Sequence, residues 1–134
     1  MTVGQSSANM AAAILNIFRG GGNGVTFTAP AAIYLQLHTA DPGAAGTTAV
    51  AAGMSARQAI THAAASGGSM AISGTNPAFT NSGTSETLTH VSYWSAASAG
   101  TFYMSAALTT SKAWASGDTY THTTDTWSTT PIAA

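Results

Sequence analysis

What most constrains this chain is how few of its side chains are bound to reach water. Three Lys or Arg and four Asp or Glu are the only formal charges in 134 residues, whereas about a quarter of an ordinary globular protein is charged. A freely diffusing domain covers roughly 25–35% of its surface with mixed charge, which opposes sticking. Here Ala, Thr, Ser and Gly must make most of the surface. Hydroxyls and small apolar groups pack against a partner without stranding buried ions. The chain therefore reads as a subunit of a larger assembly.

A chain of 134 residues fits one domain, able to bury about two thirds of its unfolded surface. Much of its apolar fraction is alanine and the larger side chains come in short runs, so the expected core is thin. With no cysteine, disulfides and thiolate chemistry are excluded and the redox compartment is left open. No apolar run approaches the roughly 20 residues of a membrane span, and Met1 to Gln5 lacks a basic signal-peptide n-region. These features point to a soluble protein made in the cytoplasm, with no membrane partner. The net charge is −1, and Arg19, Arg57 and Lys112 are far apart in sequence. Without a basic stripe, no nucleic-acid partner is expected.

Helical periodicity occurs once, over residues 6–19. Ser7 is the candidate cap, and Met10, Ile14, Ile17 and Phe18 recur at offsets of three and four along one stripe. Gly20 to Gly22 stop this helix, with Arg19 at the negative end of its dipole. About three helical turns are marginal alone, so the helix needs a surface to lie on. Beyond Gly24 the period changes to two. Strands are expected at residues 25–28, 33–39, 57–62, 69–73, 86–96, 101–108 continuing over 112–114 after a bulge, 120–124 and 127–132, with Asn76, Pro77, Asn81 and Gly83 punctuating the region around 78–80. In the second of these, Ile33, Leu35 and Leu37 alternate against Tyr34, Gln36 and His38, which marks one core face. In the long strand, alternation sets Leu88, His90, Ser92 and Trp94 against Thr89, Val91 and Tyr93, with both faces partly covered. Asp41, Pro42 and Gly43 spell a turn, as do Gly117 and Asp118. Residues 43–56 are Ala, Gly and Thr without periodicity, and the expectation is an extended surface loop open to ordering by a partner. Pro131 suits the last strand to a sheet edge or an arm. The fold class is thus all-β, a single β-sandwich or jelly-roll-like domain with one N-terminal α-helix. Residues 1–24 hold the helix and a glycine hinge, and residues 25–134 the β-sandwich.

Catalytic signatures are weak. His38, His62, His90 and His122 match no zinc spacing and read as strand-face polar groups bonded to backbone or hydroxyls. A symmetric histidine cluster between subunits is the alternative. No nucleophile elbow occurs, since Gly67-Gly68-Ser69 is a turn before a strand. Of Asp41, Glu86, Asp118 and Asp125, three lie in turn contexts that explain them. Gly20-Gly21-Gly22-Asn23-Gly24 follows a helix, whereas a phosphate loop precedes one. The reading is non-enzymatic, with no catalytic residues, no cofactor and no metal. The aromatics Tyr93, Trp94, Phe102, Tyr103, Trp114, Tyr120 and Trp127 crowd the C-terminal half, mostly as core. Because neighbours on a strand face opposite ways, at least one of Tyr93 and Trp94 should reach a second surface. A carbohydrate platform would need rings outside the core.

The run Ile33-Tyr34-Leu35-Gln36-Leu37-His38-Thr39-Ala40-Asp41-Pro42-Gly43 resembles the "LYLxLHTADPG" strand and turn of small virion proteins from tailed bacteriophages of actinobacteria. Arg57-Gln58-Ala59-Ile60-Thr61 is similar to their "RQAxTF" strand, with His62 where Phe is usual. Residues 63–69 are similar to their "AAASGG" turn, Thr89-His90-Val91-Ser92-Tyr93-Trp94 to "THVSxW", and Leu108-Thr109-Thr110-Ser111-Lys112 with Gly117-Asp118-Thr119 to "LTTxK…GDT". The similarity runs in order over residues 29–121 and leaves out the first 25. It implies a virion component labelled as a tail fibre, minor tail or capsid accessory protein, and implies no enzyme.

The first expectation is a capsid decoration or minor capsid protein that braces the shell of a tailed phage. The alternative is a tail or tail-fibre protein, with host-surface carbohydrate binding as a further option. The partners expected are other virion proteins, either the major capsid protein or tail proteins, and further copies of the chain as a homo-oligomer. Met10, Ile14, Ile17, Phe18 and Trp127 are the candidate interface residues.

Overall fold

The computed structural model describes residues 3–18 and 29–129. The helix end at Arg19, the glycine hinge at 20–24, the strand expected at 25–28, and Pro131 with Ile132 lie outside the described residues. Among the described residues the fold is mostly β with a single short N-terminal α-helix. In chain order, β1 (Gly4–Gln5) leads into a π-helical turn (Ser7–Ala11) and α1 (Ala12–Phe18). Then come β2 (Ile33–His38), β3 (Gln58–His62), β4 (Ser69–Ser73), β5 (Ala78–Thr80) and β6 (Glu86–Trp94). β7 (Phe102–Trp114), β8 (Thr119–Thr121) and β9 (Thr126–Ser128) complete the order. Seven strands form one antiparallel sheet in the order β1-β7-β6-β2-β3-β4-β9, and β5 pairs separately with β8.

The sheet curls strongly. Trp127 on the edge strand β9 meets Tyr93 on β6, four strands away in the sheet order, with ring centroids 4.9 Å apart and edge-to-face. The enclosed core holds Leu35, Leu37, Ile60, Phe79, Leu88, Val91, Tyr93 and Trp114. Strict alternation would place Leu88 on the opposite face from Val91 and Tyr93. A bulge resolves this: Leu88 pairs with Lys112 and His90 with Ala107, so four β7 residues, 108–111, stand opposite Thr89 alone. Across such a bulge the side-chain phase is reset, and Leu88 enters the core.

Two expectations change. The polar face of β2 is as buried as its apolar face, with Gln36 and His38 at 5% and 0% exposure. Arg57 Nε–H donates to Gln36 Oε1, and the His38 end is covered by the 43–56 segment, which its own chain orders. Thr39 N–H donates to the Ala49 carbonyl (2.9 Å), Ala51 N–H to the Leu37 carbonyl (3.0 Å) and Thr48 N–H to the Pro42 carbonyl (3.0 Å). The Glu86 carboxylate accepts from Ala52 N–H (2.9 Å) and Gly53 N–H (3.2 Å). Small residues make this close approach possible: Gly46, at φ +71°, leaves no room for a Cβ beside the Phe102 ring. The predicted turn at Asp41 is present, with Gly43 at φ +73° and its N–H bonded to Asp41 Oδ1 at 2.9 Å.

Candidate functional site

The N-terminal segment is anchored to the sheet by polar bonds. Ser6, not Ser7, is the cap, its hydroxyl accepting from Asn9 N–H at 3.4 Å. Ser6 N–H donates to the Tyr103 carbonyl (2.6 Å) and Asn9 Nδ2 to the Phe102 carbonyl (3.0 Å). The apolar stripe of the helix then divides. Met10 and Ile14 are half-buried and line a groove of about 450 Å³ together with Trp127, Met104 and Met70. One turn further along, Ile17 and Phe18 are 56% and 81% exposed, and Leu15 is 70% exposed. Of the five residues picked from sequence, Met10, Ile14 and Trp127 therefore come together against the chain's own sheet. Ile17 and Phe18 extend an apolar face into solvent. Trp127 is not a free ring, being held between Tyr93 and His62, whose ring centroid is 5.1 Å away.

Beside Trp127 lies a polar cluster that sequence reasoning did not assemble. His62 Nε2 meets Asp125 Oδ2 at 2.9 Å, with both side chains nearly withdrawn from solvent. The Tyr93 hydroxyl also bonds Asp125; burial, and then the negative charge of Asp125, push the Tyr93 pKa far up, so it stays a protonated donor. The Tyr120 hydroxyl is 3.0 Å from His122 Nδ1. Burial lowers the His122 pKa, opposed by Asp125 and reinforced by His62. Tyr93, Tyr120, His122 and Asp125 line a cleft of about 350 Å³ between the β7 bulge and residues 120–126. No spacing rule joins His62 to Asp125, which are 63 residues apart; the only local signal is the density of hydroxyls and rings around Tyr120, His122 and Trp127.

The other histidines are structural. His38 Nδ1–H donates to the Thr48 carbonyl (2.8 Å), its Nε2 accepts from the Ser92 hydroxyl (2.7 Å), and Ser92 accepts from Trp94 Nε1–H (2.8 Å). His90 Nδ1 bonds the Thr89 hydroxyl at 2.8 Å. Arg57 stacks 3.7 Å from the Trp94 ring centroid and donates to the Ala96 and Ala99 carbonyls. Among the described residues, no hydroxyl hydrogen-bonds His62, so its pairing with Asp125 does not extend to a nucleophile, and no three His, Asp or Glu side chains form a metal-ligand set. No helix among the described residues is long and apolar enough to cross a membrane.

Residues 5–130 match the family model Gp80, described as podophage GP4 fiber I protein gp80. No curated protein matches the chain.

Proposed function

Because the chain belongs to the podophage GP4 fiber I protein gp80 family of phage virion structural proteins, we propose that it is a non-enzymatic structural subunit of a tailed-phage fibre. The observation that carries this reading is the family match over residues 5–130. It supports the tail-fibre alternative better than the capsid decoration expected first from composition. The charge-poor surface agrees with either place in the particle. The motifs at residues 33–43, 57–61 and 89–94 support, within this reading, a phage of an actinobacterial host.

In this reading residues 1–24 form a docking arm on the β-domain of residues 25–134. The exposed apolar face of α1, at Leu15, Ile17 and Phe18, contacts a neighbouring virion protein, and Met10, Ile14 and Trp127 hold the arm's root against its own sheet. Further copies of the chain associate as a homo-oligomer within the fibre. The test is a phage in which the gene is disrupted. The fibre reading expects DNA-filled heads of normal stability that carry tails with absent or shortened fibres in negative-stain images. Intact fibres on fragile or leaking heads would refute it.

A further inference from the structure

The cleft between β7 and residues 120–126 has no part in the fibre reading, yet it has the features of a built site. One wall is the bulge, where four β7 residues face Thr89 alone. Thr109 and Thr110, both exposed and both within this irregularity, line the cleft. Bulges recur where a strand has to re-aim side chains toward a ligand. The other wall carries Tyr120, His122, Thr124 and Asp125. His122 is only 5% exposed, and its Nε2 has no hydrogen-bond partner among the described residues. A buried donor or acceptor left unmade is costly, so the wall retains a polar atom with unused bonding capacity.

We infer that this cleft binds a neutral, polyhydroxylated ligand, a mono- or disaccharide unit. The lining selects that class by elimination. Among the described residues no Lys or Arg borders the cleft, and Asp125 is the one carboxylate, so an anionic ligand meets a like charge with nothing there to neutralise it. A cationic ligand finds Asp125 already engaged by His62 and Tyr93. A wholly apolar ligand would cover the exposed Thr109 and Thr110 hydroxyls without offering them a partner. Hydroxyls of a neutral sugar both donate and accept, which matches the threonine hydroxyls at the rim. The half-buried Tyr120 ring offers an apolar face for the C–H side of a pyranose. A volume near 350 Å³ stands at the small end of ligand pockets, about 300–1,000 Å³, which suits a short saccharide unit.

The experiment is a titration of the full-length, ¹⁵N-labelled protein with glucose, galactose, mannose, xylose and N-acetylglucosamine, with glucuronate and cyclohexanol as controls. At least one neutral sugar should give saturable amide shifts centred on Thr109, Thr110, Tyr120, His122 and Thr124. Glucuronate and cyclohexanol should shift them weakly or not at all. The double variant Thr109→Val and Thr110→Val removes two exposed hydroxyls while conserving shape; it should melt as the parent does and bind at least about tenfold more weakly. Tyr120→Phe, which keeps the ring and deletes the hydroxyl, should also weaken binding. Absence of saturable shifts with every neutral sugar overturns the inference, as do shifts mapping elsewhere or unchanged affinity in the double threonine variant. Failure here leaves the fibre assignment standing, because that is read from particles.

Discussion

His38 is the side chain whose replacement best tests how the loop at 43–56 is held. The residue is completely buried, and both of its ring nitrogens are engaged, to the Thr48 carbonyl at 2.8 Å and the Ser92 hydroxyl at 2.7 Å. A carbonyl only accepts, so Nδ1 carries the proton and Nε2 accepts from Ser92; the ring is neutral. His38→Leu keeps most of the volume and orphans two groups, the Ser92 hydroxyl and the Thr48 carbonyl. At about 1–3 kcal/mol for each buried group left unpaired, the loss is roughly 2–6 kcal/mol. Against a total stability of about 5–15 kcal/mol for a domain, that is a large fraction. Urea unfolding followed by tryptophan fluorescence should show the midpoint fall with an unchanged slope. Ser92→Ala breaks the same chain, so the double variant should cost less than the two single losses combined. The pH dependence follows from the same geometry. Burial holds the His38 pKa below its ordinary value, so below about pH 6.5 the unfolded chain takes up a proton that the folded chain refuses. Stability is complete above that pH and declines as pH falls through the window beneath it. His122, also lowered by burial, contributes with the same sign. In His38→Leu the decline should be shallower. A loss under about 1 kcal/mol, or an unchanged pH slope, would refute the reasoning.

Removing residues 1–20 takes away the bonds of Ser6 and Asn9 to β7 and the Met10 cover of the groove. The truncated protein should retain a β circular dichroism spectrum, lose about 2–4 kcal/mol of stability, and show red-shifted tryptophan emission as Trp127 meets water. Gly53→Ala drives a Cβ into the Asn81 carboxamide, whose Nδ2 holds the Thr84 and Trp114 carbonyls at 2.9 and 2.8 Å. Thermal melts should register a loss of about 1–3 kcal/mol. Phe18→Ser, at a side chain 81% exposed, should leave the melting temperature unchanged and reduce the amount of protein recovered in purified particles.

Much of the β architecture was legible because it is local. The alternation of Ile33, Leu35 and Leu37, the Asp41-Pro42-Gly43 turn, the run at Ser69–Ser73 and the break of β7 after Leu108 all follow from period and turn chemistry. What escaped depends on distant partners. Residues 43–56 read as an open loop because the Glu86 carboxylate and the His38 ring that fasten them lie outside the segment. Leu88 read onto the wrong face because alternation takes no account of the unequal residue counts across the bulge. The helical stripe was visible, but where the sheet beneath it ends was not, so Ile14 and Phe18 looked alike. The His62 and Asp125 pair is formed by the curl of the sheet, which brings β9 over β6, and neither residue carries a local mark of the other.

The central claim is a place in the fibre, and quantitative mass spectrometry of separated particle parts tests it most directly. Heads and tails parted by mild disruption and gradient sedimentation, with immunogold labelling of intact particles alongside, would locate the chain. The account predicts that it sediments with the tail fraction, in a small fixed multiple of the tail's symmetry, and that gold marks the tail end. Recovery with the head fraction near equimolar to the major capsid protein, with gold distributed over the shell, would contradict it.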